Sequence, residues 1–197
     1  DRLAALTPSA RAALESRVRR AVARAALNVG IIHAQAERFA RAADLFETAA
    51  AASAEFPQVQ YSLGVAYFNA KGYDRAHAPL TRALTLDPGN AGLKRMLALA
   101  SLHSGRVEQA AALLADDPAR DTDLSLQYAY GLALVRSNQA SLAEAVFSRL
   151  IATHGSTPEI NVVLGQAHAQ QGDFESAIAA LQHALEAKPD VADASAA

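Results

Sequence analysis

The chain repeats itself. Glycines set among apolar residues fall at Gly30, Gly64, Gly131 and Gly165, with steps of 34, 67 and 34, and Ala98 stands at the missing middle position. A second series, Phe46, Leu80, Leu114, Phe147 and Leu181, advances by 34, 34, 33 and 34. Ala42, Ala76, Ala110, Ala143 and Ala177 advance in the same steps. Three series that share one period and one single-residue deletion define a repeat architecture. In such a chain each unit is one supersecondary element that cannot bury its apolar face without a neighbour.

Each unit reads as two helices. About a quarter of the residues are Ala, the strongest intrinsic helix former, and aromatics are only 6%. The core is therefore expected to be close-packed and built from small side chains. The first helix carries Ser62-Leu63-Gly64-Val65-Ala66-Tyr67 in one unit and Val163-Leu164-Gly165-Gln166-Ala167-His168 in another. Turns are expected at Lys71-Gly72-Tyr73-Asp74 and Gly172-Asp173-Phe174-Glu175, with Gly ending the first helix and an acidic residue favouring the next helix start. Ala76, Leu80, Ala83 and Ala177, Leu181, Ala184 form one apolar stripe on each second helix. Asp87-Pro88 and Lys188-Pro189 stop it, because Pro lacks an amide and disfavours helix in the preceding residue.

These motifs resemble the tetratricopeptide repeat family. Its Leu-Gly, Tyr, Ala, Phe/Leu, Ala and Pro positions correspond to Leu63-Gly64, Tyr67, Ala76, Leu80, Ala83 and Pro88. Five units are expected, at 23–56, 57–90, 91–123, 124–157 and 158–191. Residues 1–22 form an N-terminal helical extension, and 192–197 the start of a sixth unit or a tail. The resemblance implies an all-α fold, a right-handed superhelical solenoid of antiparallel helix pairs. The Gly or Ala position lies where two helices cross closely.

Several positions depart from the pattern. The third unit has Ala98 for Gly, Ser101 for Tyr, and Asp117-Pro118 inside its second helix, which should therefore stop near Ala115 and leave a local kink. The first unit has Ala54 where Pro is usual. Thr7-Pro8 reads as an N-cap followed by a first-turn proline, and 9–29 holds no Gly or Pro, so the first helix should start near residue 8.

The chemistry of the chain is sparse. With no Cys, disulfides, Cys-based zinc sites and thiol catalysis are excluded. No catalytic or phosphate-binding motif occurs, so the expectation is no enzyme and no cofactor. Asp116, Asp117, Asp121 and Asp123 lack the Gly and terminal Glu of a helix-loop-helix calcium site, and Asp117 and Asp123 read instead as helix-stop and N-cap residues. His33 and His168 occupy the Tyr position as packing residues, while His77, His154 and His183 should be exposed. A net charge of −2, with no aromatics interleaved in its basic run, argues against nucleic acid. That run, Arg11, Arg17, Arg19, Arg20 and Arg24, reads as an outer face opposite an inner face of Leu14, Val18 and Val22, or as a contact for an acidic partner.

No run of about 20 apolar residues could cross a membrane. Residues 1–6 do not open a signal peptide, and the missing initiator Met suggests a trimmed or processed product. The 15 Arg against 3 Lys point to a GC-rich coding sequence. A bacterial protein of unassigned compartment, cytoplasm or periplasm, is expected.

In the family the first helices line the concave face, where ligands lie. By resemblance, the inward positions include Gln58, Tyr61, Val65, Phe68 and Asn69; Gly92, Arg95, Leu99, Leu102 and His103; Ser125, Tyr128, Leu132, Val135 and Arg136; and Glu159, Val162, Gln166, Ala169 and Gln170. The candidate partner-binding residues are Tyr61, Phe68, Asn69, Arg95, Leu99, His103, Tyr128, Leu132, Arg136, Gln166 and Gln170. Apolar and aromatic side chains with Arg95 and Arg136 among them suit a peptide or protein segment with apolar anchors and some acidic character. The alternative is that they pack against one another or against a flanking repeat. The Lys, Asn and Arg set with which one subfamily grips a C-terminal carboxylate is replaced here by Leu27, Ile31, Ser62, Gly92 and Met96. The expected function is a protein-interaction scaffold. A substrate-presenting arm of a larger enzyme, or a repeat protein that self-assembles through its ends into homo-oligomers, are the alternatives.

Overall fold

A computed structural model describes residues 7–53 and 57–187. The chain divides into two compact units, 1–100 and 101–197. The first holds α1 (Pro8–Gln35), α2 (Phe39–Ala52), α3 (Pro57–Asn69), α4 (Tyr73–Leu86) and most of α5 (Ala91–His103). The second holds the end of α5 and then α6 (Val107–Ala115), α7 (Leu124–Arg136), α8 (Ala140–His154), α9 (Pro158–Gln171) and α10 (Phe174–Ala187). Ala54, Lys188-Pro189 and 192–197 lie outside the described residues.

Helix pairs are the structural unit. In the first unit α1 packs on α2, α2 on α3, and α3 on α4; in the second, α6 through α10 pack in chain order. The repeated small position is where the two helices of a pair meet. A Cβ built on Gly30 would come within 2.5 Å of Phe46, on Gly64 within 2.7 Å of Leu80, on Gly131 within 2.5 Å of Phe147 and on Gly165 within 2.8 Å of Leu181. Each contact is centred on the intervening turn, so the two helices run antiparallel. Ala42, Ala76, Ala110 and Ala143 are wholly buried.

The turns corrected one expectation. The residue in left-handed conformation is Glu37, Lys71, Gly105, Asn138 and Gly172 in successive repeats, so only two of the five are Gly. In the repeat at 57–90 Gly72 is not that residue. It has φ −82 and forms the N-cap of α4, while Lys71 takes φ 59. The next amide reaches back five residues, as in Arg38 N–H to His33 C=O at 2.9 Å, Gly72 to Tyr67 at 2.8 Å, Arg106 to Ser101 at 2.8 Å, Gln139 to Leu134 at 2.8 Å and Asp173 to His168 at 3.0 Å. This Schellman bonding satisfies the last free carbonyls of the first helix whatever the side chain.

The helix ends otherwise follow the sequence. Thr7 accepts from the Ala10 amide at 3.3 Å, with Pro8 in the first turn of α1. The second helix of the third repeat ends at Ala115, after nine residues, where its counterparts α2, α4, α8 and α10 have 14 or 15. Asp123 caps α7 by accepting from Ser125 and Leu126 at 2.9 and 3.2 Å.

Three burial expectations needed correction. Leu14, Val18 and Val22 are 37%, 53% and 44% exposed, not an inner face. The reason is length: α1 has 28 residues and α2 has 14, so at about 1.5 Å per residue α2 covers only half of α1. Burial in α1 accordingly begins at Ala23. His77 is half-buried rather than exposed. Leu102 and Val135, read as groove positions, are core residues.

Candidate functional site

The candidate residues lie on first helices of both units: α3 and most of α5 in the first, the end of α5 with α7 and α9 in the second. In the first unit α3 presents Tyr61, which is 46% exposed, with Asn69 exposed at its end. Phe68 is half-buried and meets Tyr73 edge-on, with ring centroids 5.5 Å apart. Phe68 is thus partly committed to holding α3 against α4. On α5, Arg95 and Leu99 are half-buried.

In the second unit the face is more sharply built. Tyr128, Leu132 and Arg136 stand one turn apart on α7, which puts them on a single stripe. Tyr128 is half-buried, its ring edge-on to Phe147 at 6.0 Å. Burial pushes its phenol pKa up; the Glu159 carboxylate pushes the same way, and the Arg136 guanidinium opposes both. The tyrosine therefore stays neutral and remains a hydrogen-bond donor, flanked by one charge of each sign. Leu132 is half-buried, and Arg136, His103, Gln166 and Gln170 are exposed. Gln170 donates to the Val135 carbonyl at 3.0 Å, which ties the end of α9 to the end of α7.

Beside Tyr128 lies a cavity of about 410 Å³, lined also by Leu124, Ser125, Leu150, His154, Thr157 and Ile160. The sequence reading missed Leu124, Leu150 and Ile160 as wall residues. Leu150 and Ile160 follow the core pattern, and only the geometry of the α8–α9 junction brings them to the opening.

A polar cluster in the first unit also escaped the sequence. Tyr67 donates to the Glu47 carboxylate, and Arg75 donates to Glu47 at 3.1 Å and to the Tyr67 oxygen at 2.6 Å. The Arg75 guanidinium lies 4.3 Å from the Tyr67 ring centroid. The Tyr67 hydrogen bond, more than Arg75, holds the Glu47 pKa down, while burial and then Glu47 raise that of Tyr67 to about 12. The cluster joins three helices and is a structural tie.

The acidic residues before α7 are engaged in local structure. Asp117 is buried and accepts from the Ala119 amide at 2.8 Å, Asp121 pairs with Arg120 and Arg149, and Asp123 caps α7. Among the described residues no group of three or more His, Asp or Glu could hold a metal ion. Nor is any described helix long and apolar enough to cross a membrane.

Two family profiles described as tetratricopeptide repeat match residues 70–135 and 128–192, together well over half of the chain. The chain belongs to the tetratricopeptide repeat family. Its solved likenesses share the fold at low identity. MamA MSR-1 is 23% identical with a TM-score of 0.70, over 88% of this chain and 99% of that one. MamA 41-end from Desulfovibrio magneticus RS-1 is 18% identical with a TM-score of 0.66, over 86% and 96%. YrrB, described as a TPR protein with an unusual peptide-binding site, is 18% identical with a TM-score of 0.68, over 84% and 86%. No curated protein matches the chain significantly.

Proposed function

We propose that this tetratricopeptide repeat protein is a non-catalytic scaffold that binds a peptide or protein segment on its first-helix faces. The α7 stripe carries this reading. Tyr128 and Leu132 offer half-buried apolar surface, and Arg136 stands exposed at the end of the same stripe. Aromatic and Arg side chains dominate the energetics of interfaces. The segment has an apolar anchor for Tyr128 and Leu132 and a carboxylate for Arg136, joined by a charge-assisted hydrogen bond. Tyr61, Phe68, Asn69, Arg95 and Leu99 form the corresponding face of the first unit. The description of YrrB as peptide-binding supports the class of ligand.

The test is a pull-down from the source organism's lysate with wild-type chain beside a Tyr128→Ala, Arg136→Glu variant. A protein retained by the wild type and lost from the folded variant is expected. Equal retention by both would remove the site from α7.

Self-association is the second reading. Phe174, Ile178, Leu181 and Leu185 on α10 are 66%, 57%, 36% and 40% exposed, and they form an open apolar face. Solution mass measured over a concentration series separates the two, since a strict monomer at high concentration excludes this reading.

A further inference from the structure

A notch lies in the second unit between α7, α8 and the loop that follows the short α6, away from the α7 stripe. Among the positions equivalent to Tyr130, Leu63 and Leu97 are 7% and 2% exposed, Leu164 is half-buried and Val29 is 44% exposed. Tyr130 is half-buried, and it lies beside the 116–123 loop that follows the end of α6 at Ala115. A cavity of about 360 Å³ opens there, walled by Tyr130, Leu142, Val146, Arg120, Asp121 and Arg149. Residues 127 and 130 lie about half a turn around α7 from 128, 132 and 136, so this cavity and the groove stripe use different faces of one helix.

The walls are chemically divided. Leu142, 54% exposed, and Val146 stand one turn apart on α8, and with Tyr130 they make an apolar floor. The rim holds two guanidinium groups and one carboxylate. Arg120 is fixed: it donates to the Ala115 carbonyl at 2.5 Å, pairs with Asp121 at 3.3 Å and lies 5.2 Å from the Tyr130 ring centroid. Arg149 reaches Asp121 only at 3.7 Å, beyond hydrogen-bond length, and its side chain is 68% exposed. The opening therefore carries one positive charge in excess, on a guanidinium with donors to spare beside exposed apolar surface. A bidentate carboxylate is what such a fork accepts.

We propose that this notch is a second recognition site, for a peptide segment in which one aliphatic or aromatic side chain stands next to a carboxylate. The side chain fills the floor between Leu142 and Tyr130, and the carboxylate pairs with Arg149. The site is independent of the α7 stripe, so one chain can hold two segments at once.

The probe is a set of labelled pentapeptides, acetyl-Gly-X-Asp-Glu-Gly-amide with X as Leu, Phe or Ser, titrated into the full chain by fluorescence anisotropy. Saturable binding is expected for the Leu or Phe peptide, at least tenfold tighter than for Ser. Arg149→Glu and Leu142→Ser, both at exposed positions, should each weaken it tenfold or more with an unchanged thermal midpoint. Tyr128→Ala with Arg136→Glu should leave it within twofold. Absence of saturable binding by either apolar peptide, or equal binding of all three peptides, would overturn the proposal. Loss only in the Tyr128, Arg136 variant would place the peptide on the α7 stripe, which supports the scaffold reading and removes the notch.

Discussion

Gly131 faces the ring of Phe147 so closely that a methyl group at residue 131 would sit 2.5 Å from Cζ. Phe147 is wholly buried and cannot swing into solvent. Gly131→Ala should therefore destabilise the chain by about 1–3 kcal/mol, the usual cost of overpacking. Phe147→Leu should cost less in the Gly131→Ala background than in the wild type, because the shorter side chain frees space for the new methyl. Urea midpoints of the four proteins in this double-mutant cycle provide the check, and strict additivity would contradict the contact.

The turn residues offer a paired test. Lys71 holds φ 59 and Gly172 holds φ 79, at equivalent places in two units. Lys71→Gly should stabilise and Gly172→Ala should destabilise, each by about 1 kcal/mol, since a Cβ is penalised in the left-handed region. Nothing lies within 4 Å of a Cβ at Gly172, so the second effect is conformational and not steric. Thermal melts of both variants read the signs.

Tyr67 makes stability depend on alkaline pH. Its folded pKa of about 12 lies above the ordinary value of 10. Unfolded chains release the proton first, so this contribution is complete below pH 10 and disappears as pH rises from 10 to 12. Tyr128 is raised too and acts in the same direction. Glu47, lowered chiefly by its bond from Tyr67, gives the acid counterpart, a contribution lost as pH falls below 4.5. Tyr67→Phe should cost about 1 kcal/mol at pH 8 and show a smaller fall in urea midpoint between pH 8 and 11 than the wild type. An equal fall in both would separate the alkaline loss from Tyr67.

One repeat position should give two different mutational costs. Leu80 is wholly buried, whereas the equivalent Leu181 is 36% exposed. Leu80→Ala is expected to cost about 2–5 kcal/mol, with a cavity left behind. Leu181→Ala should cost less than half of that, because its site opens to solvent. Equal losses in denaturant titrations would show Leu181 covered in solution.

The parts of this fold that could be read in advance are those set by volume. A Gly or Ala sixteen residues before a Phe or Leu declares a close crossing, and four such pairs occur at contact distance. The left-handed turn residue could not be read, because backbone bonds enforce it on Glu37, Lys71 and Asn138 as well as on Gly. Leu14, Val18 and Val22 form an apolar stripe that local pattern assigns to a core, yet their exposure depends on how far the next helix reaches. Nor does local pattern predict that α4 runs through Pro79, which has no amide to give to the Arg75 carbonyl. At the candidate site, Tyr128 and Arg136 were singled out by the resemblance to the repeat family, since the period alone does not say which face of a first helix looks inward. Glu159, one of the register positions, emerged as an electrostatic neighbour of Tyr128 only in three dimensions.

The overhang of α1 gives one helix two regimes of stability. From Arg11 to Val22 every residue is exposed, and from Ala23 onward the helix is clamped by its partner. The first stretch stands on its own propensity, like an isolated peptide of marginal length. Its amides should exchange with solvent deuterium orders of magnitude faster than those of Ala26, Leu27 and Gly30 in the same helix. A ligand that settled on the arginine-bearing overhang would announce itself by slowing that exchange, with the remainder of the helix unchanged.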